Sequence, residues 1–166
     1  MDTNTGLLIA RLVLGLLMAG HGAQKLFGWF GGHGLAGVSG YFEQLGFRPG
    51  RPFALAASVG EVVSGLLVAL GFLGPVGPAI MISVMIVAAV TVHWRNGVFV
   101  TSNGIEVPLL YAAGAVALGL TGPGNFSLDA FLGITALWTP ALTWTVLFLG
   151  VVGGIGNLAV RRPVTV

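Results

Sequence analysis

The chain has 166 residues, enough for one domain, of which 55% are apolar and only 7% charged. A soluble domain carries roughly 25% charged residues, so the composition excludes a water-covered globule and makes lipid the expected solvent. A formal charge of +2 with no basic cluster excludes a nucleic-acid partner. The absence of cysteine excludes disulfides, thiolate catalysis and cysteine-held zinc or iron–sulfur centres within the chain.

The expected fold is all-α: an integral membrane helical bundle forming a single domain over residues 1–166. A crossing helix needs about 20 mainly apolar residues, and five stretches qualify: 6–27, 52–73, 76–94, 105–121 and 141–160. The first contains Arg11 and runs past His21, which marks it as a retained helix and not a signal peptide. Between the first and second, Leu35, Val38, Phe42 and Leu45 fall at helical spacing, predicting an interfacial amphipathic segment over about 33–47. Gly74-Pro75 and Gly77-Pro78 make the second and third helices a tight hairpin. After the fourth helix comes a turn at residues 121–125. Ser127 then caps a short helix ending near Trp138, with Asp129 placed in its first turn to suit the helix dipole.

Lys25, Arg48, Arg51, Arg95, Arg161 and Arg162 all fall at one end of a five-crossing bundle. Because cytoplasmic loops carry the excess of Lys and Arg, this predicts an N-terminus outside and a C-terminus in the cytoplasm. Trp29, Trp94, Trp138 and Trp144 fall near the expected interfaces. In the fifth helix, Gly150 and Gly154 form a small-xxx-small pair. It serves either packing within the bundle or docking onto another membrane subunit.

Ionisable groups inside a membrane are costly unless paired, and so mark sites. On a helical wheel Arg11, Gly15, His21, Gly22 and Lys25 share one face of the first helix. Ser58, Glu61, Ser64 and Gly65 cluster on the second, and Glu106, Ala113 and Ala117 form a stripe on the fourth. By depth, His21, Lys25, Glu61, His93 and Glu106 can meet at the cytoplasmic end, with Arg11 reaching toward Glu61 or acting separately. This cluster, Arg11 included, is the candidate cofactor pocket. It suits a quinone head group or a proton relay, with His21 and Glu61 the candidate catalytic residues. The alternative is purely structural, with Arg11–Glu61 and Lys25–Glu106 as buried ion pairs. Axial haem ligation by His21 and His93 is a minor alternative. No metal site is expected. The glycine-rich stretch around His33 follows a membrane helix and not a strand, so it is not a nucleotide loop, and His33 is expected at the surface.

Several of these residues sit in recurring strings: Arg11 with His21-Gly-Ala-Gln-Lys25-Leu-Phe-Gly, then Phe30-Gly-Gly-His-Gly-Leu, Glu61 and Val92-His-Trp-Arg-Asn-Gly. Asn103-Gly-Ile-Glu106 and Gly122-Pro-Gly-Asn-Phe-Ser-Leu-Asp129 follow. Over about residues 6–133 the chain resembles the DoxX family. That resemblance implies a four-helix protein of the bacterial inner membrane, described as an oxidoreductase, with DoxD-like relatives linked to thiosulfate:quinone oxidation. Arg11, His21, Lys25, Glu61, His93 and Glu106 match the family's polar positions, and the fifth helix is a departure from it. The resemblance implies a subunit or accessory of a membrane oxidoreductase complex, using quinone and acting beside a protein partner, since the chain has no flavin or iron–sulfur motif. The competing readings are a non-catalytic subunit docking through the fifth helix and a small-solute permease.

Overall fold

Residues 2–162 are described in the computed structural model of the chain. Asp2 caps the first helix by accepting from the Asn4 N–H at 3.1 Å, and α1 runs Thr3–Phe27. It ends at Gly28, whose left-handed conformation closes the last turn. Next come α2 (Gly34–Gln44), α3 (Gly50–Leu70) and α4 (Val76–Ala88). The last continues through a π turn, Ala89–His93, into a 3-10 turn, Trp94–Asn96. α5 (Glu106–Thr121), the one-turn α6 (Leu128–Phe131) and α7 (Pro140–Ala159) complete the α-helices of the described residues. Among the described residues four segments are long and apolar enough to cross a membrane: α1, α3, the stretch Val76–Asn96, and α7. α5, at 16 residues, is a shorter apolar helix, about 24 Å long.

The five long helices alternate in direction. The turn after α5 returns to the start of α1, where the Asn125 N–H donates to Asn4 Oδ1 at 2.8 Å. α7 ends beside the end of α2, where the Arg162 N–H donates to the Gly46 carbonyl at 2.8 Å. Lys25, Arg48, Arg51, Arg95, Arg161 and Arg162 thus share one end of the bundle, called here the basic end.

Small residues set the closest contacts. A Cβ on Gly15 would lie 2.5 Å from the Gly65 carbonyl, and one on Gly22 would lie 2.7 Å from the Ser58 carbonyl, so α1 and α3 touch backbone to backbone. α4 is central, packing against α3, α5 and α7. Met18, Val68, Met81, Met85, Tyr111 and Leu147 build the core around it. Gly150 and Gly154 of α7 sit on the α4 backbone at Ala79 and Ser83, so this small-residue pair is used within the chain. On α5 the buried face is Pro108, Tyr111, Ala115, Leu118 and Gly119. The expected stripe of Ala113 and Ala117 is exposed instead. Outward, Leu16, Leu17, Leu109, Leu110, Phe148 and Leu149 are exposed, a surface that suits acyl chains and not water.

Candidate functional site

The polar face of α3 forms as its periodicity demands: Ser58, Glu61 and Ser64 are all buried. The two hydroxyls satisfy themselves locally, Ser58 donating to the Ala54 carbonyl at 2.6 Å and Ser64 to the Glu61 carbonyl at 3.3 Å. Glu61 needs a cation, because a lone carboxylate in hydrocarbon is prohibitively costly. Its partner is Lys25, whose ammonium forms an ion pair with Glu61 Oε1, while Oε2 is buried with no hydrogen-bond partner among the described residues. Gly22 lies opposite Ser58 and Val62. Lys25, about 4.5 Å nearer the basic end, therefore uses its long stem to reach back up to Glu61.

This pairing differs from both expected ones. Arg11 does not reach Glu61. It is buried at the opposite end, about 21 Å along α1 from Lys25. There its guanidinium donates to the Phe126 carbonyl and lies against Gly71, within electrostatic reach of Asp129. Lys25 does not meet Glu106 either. Glu106 folds back on its own loop, accepting from the Val100 N–H at 2.7 Å. The helical wheel gave a face for each residue but not which neighbour that face meets. His21 is exposed and stands edge-on to Tyr111 of α5, ring centroids 5.8 Å apart, with Nδ1 3.3 Å from Gln24 Oε1. The buried face of α1 is Arg11, Gly15, Met18, Gly22 and Ala23, and His21 lies off it.

Asp129 is more than a helix-dipole residue. It is fully buried, and its carboxylate accepts from the N–H groups of Leu73 (2.8 Å) and Gly74 (2.7 Å) and from Trp138 Nε1 (2.8 Å). It thereby ties the α3–α4 turn to the segment before α7. Trp138 is held from inside and is not simply an interface residue. One available clue was the rarity of carboxylates: five acidic side chains in 166 residues make each one a candidate anchor.

A groove of about 840 Å³ runs along the α3–α4 hairpin, walled by α2 on one side and α7 on the other. Phe42, Ala57, Ile80, Val84, Val146 and Leu149 make its length apolar. Gln24, Lys25, His33, Thr91, His93 and Asn157 make it polar toward the basic end. His93 Nδ1 lies 2.8 Å from the Asn103 carbonyl. Of the six expected pocket residues, only Lys25 and His93 line this groove, and Glu61 supports Lys25 from behind. His21, Arg11 and Glu106 do not line it.

The DoxX family model matches residues 6–94, more than half of the 166. The chain belongs to the DoxX family. No curated protein matches it, and no solved structure does. As a DoxX protein it is a multi-pass membrane protein in contact with the bilayer. The matched stretch carries Arg11, His21, Lys25, Glu61 and His93 and ends at the close of the α4 segment. α5 to α7 lie beyond it, so Asp129, Tyr111 and the α7 wall of the groove belong to the part outside the family match.

Proposed function

We propose that this DoxX protein supports quinone-linked redox chemistry in the bacterial inner membrane, as a subunit or accessory of an oxidoreductase complex. The observation that carries the reading is the groove: apolar along its length, polar at one end, and of a volume usual for small-molecule sites. That shape matches an amphiphile with an isoprenoid tail and a small polar ring. When bound, a quinone supplies a two-electron, two-proton couple at its ring oxygens.

The chain's own residues do the rest. Lys25 lines the groove and is the cation available to a ring oxygen there. Glu61 holds that ammonium in place through the ion pair. His93 offers a second polar contact on the α4 wall. With no cysteine and no flavin motif in the chain, electrons come from a partner oxidoreductase. The six cationic side chains at the basic end support, by the positive-inside rule, a cytoplasmic basic end and an N-terminus outside.

Protein purified in mild detergent from its native membrane is expected to carry about one quinone per chain, measured by solvent extraction and mass spectrometry, and to retain a soluble or membrane-bound redox partner. Protein with neither extractable quinone nor uptake of added quinone would overturn the proposal.

A further inference from the structure

The end of α7 is bolted to the loop between α2 and α3. The Arg162 N–H donates to the Gly46 carbonyl at 2.8 Å, and Arg161 Nε donates to the Leu45 carbonyl. Beneath that loop Phe47 is buried, its ring 5.6 Å from that of Phe42 and 5.2 Å from that of Phe53. The aromatic anchor fixes the loop, while Arg48 and Arg51 beyond it are both exposed.

This seam gathers cations from distant parts of the sequence. Arg48 lies two residues beyond Gly46, so its Cα is within about 12 Å of the Arg162 Cα. Two arginine side chains starting that close can converge on one anion. Among the described residues none of Arg48, Arg51, Arg161 and Arg162 is in an ion pair, and Arg161 Nε is the one guanidinium nitrogen of the four that makes a hydrogen bond. Glu43 is the only acidic side chain in residues 34–51 and 140–162, and one of its oxygens accepts from the Gly50 N–H at 3.2 Å. Four arginines against one carboxylate repel one another unless an anion comes from outside. Phosphate oxygens match the guanidinium fork.

The surroundings indicate what carries that phosphate. The seam lies at the end of α7, a 20-residue helix long enough to cross a membrane, and so at head-group level. Within about three turns of it on α7, Val152, Ile155 and Val160 expose apolar surface on which acyl chains can lie.

We infer that Arg48, Arg51, Arg161 and Arg162 form a binding site for the phosphate head group of an anionic phospholipid at the α2–α7 seam. The site is independent of the quinone reading and stands without it.

The test is native mass spectrometry of the full chain in neutral detergent, titrated with phosphatidylglycerol, phosphatidylcholine and inorganic phosphate. Wild type is expected to bind one phosphatidylglycerol per chain about tenfold more tightly than phosphatidylcholine, and to retain no inorganic phosphate. Arg48→Gln, which breaks no hydrogen bond, and Arg161→Gln should each weaken phosphatidylglycerol binding about fivefold, the effect of one cation at a lipid surface, and leave phosphatidylcholine binding unchanged. Arg95→Gln removes a cation of the same end that has no hydrogen bond to the seam, and should alter neither. Equal binding of the two lipids overturns the inference. So does an equal loss from Arg95→Gln, which would show that the net charge of the basic end suffices. Saturable binding of inorganic phosphate in place of the lipid overturns it as well, by assigning the arginines to a soluble anion.

Discussion

Lys25 and Glu61, one near the end of α1 and the other in the middle of α3, form an ion pair whose two halves face different surroundings. The carboxylate side chain is 2% exposed and the ammonium side chain 33%. The cost of breaking the pair is therefore unequal. Lys25→Met leaves a buried carboxylate without its cation, which costs about 3–5 kcal/mol for a buried pair. Glu61→Gln leaves only a part-exposed ammonium and costs less, roughly 1–2 kcal/mol. The double variant Lys25→Met/Glu61→Gln should be more stable than Lys25→Met alone. Chemical unfolding in detergent, compared across the three variants, measures this order.

The opposite end of the bundle predicts its own weak point. Gly71 has φ +64 and its Cα faces the guanidinium of Arg11, with Ser127 beside it. Gly71→Ala forces a left-handed alanine into occupied space and should cost about 2 kcal/mol or more. Gly156 of α7 has nothing near its would-be Cβ. Gly156→Ala should be neutral or stabilising by up to about 1 kcal/mol. Thermal unfolding of both variants compares them directly.

Asp129 accepts three hydrogen bonds from two backbone groups and an indole. Asp129→Asn replaces one acceptor oxygen by a donor facing another donor. Bonds to a charged group contribute about 1.5–3 kcal/mol each, so the loss should be about 2–4 kcal/mol, and Trp138→Phe should cost less because one bond goes. The Trp138 contribution to fluorescence should shift in Asp129→Asn under native conditions as its indole loses its partner.

How much of this was legible beforehand depends on the kind of question. The all-helical membrane class follows from charge scarcity, which needs no geometry. The buried face of α3 was legible because Ser58, Glu61, Ser64 and Gly65 repeat at helical spacing. The partners were not, since a wheel ranks faces of one helix and says nothing of which helix lies opposite. Arg11 and Lys25 share a face of α1, yet one serves the loop at Phe126 and the other serves Glu61. His21 misled for a related reason: Met18 and Gly22 centre the buried face, and His21 falls at its margin. The groove was invisible because its walls, α2 and α7, are far apart in sequence, and the link Arg162 to Gly46 that draws them together is made by backbone atoms.

The proposed orientation rests on charge placement and has a simple check, because the chain has no cysteine of its own. Ser102→Cys, at the basic end, should react with a membrane-impermeant maleimide only after cells are opened. Thr135→Cys, at the other end, should react in intact cells of a single-membrane host or in spheroplasts. The reverse pattern would invert the topology.

The groove as a ligand site is the claim on which the functional account turns. Ala57 of α3 lines the middle of it and is half-buried. Ala57→Trp should obstruct the groove at mid-length while leaving Lys25, Glu61 and His93 unsubstituted. Titration of the purified protein with a short-tail quinone is expected to saturate at one per chain in wild type and to show no saturable binding in a folded Ala57→Trp variant. Equal binding by the two proteins would place the ligand elsewhere and contradict the account.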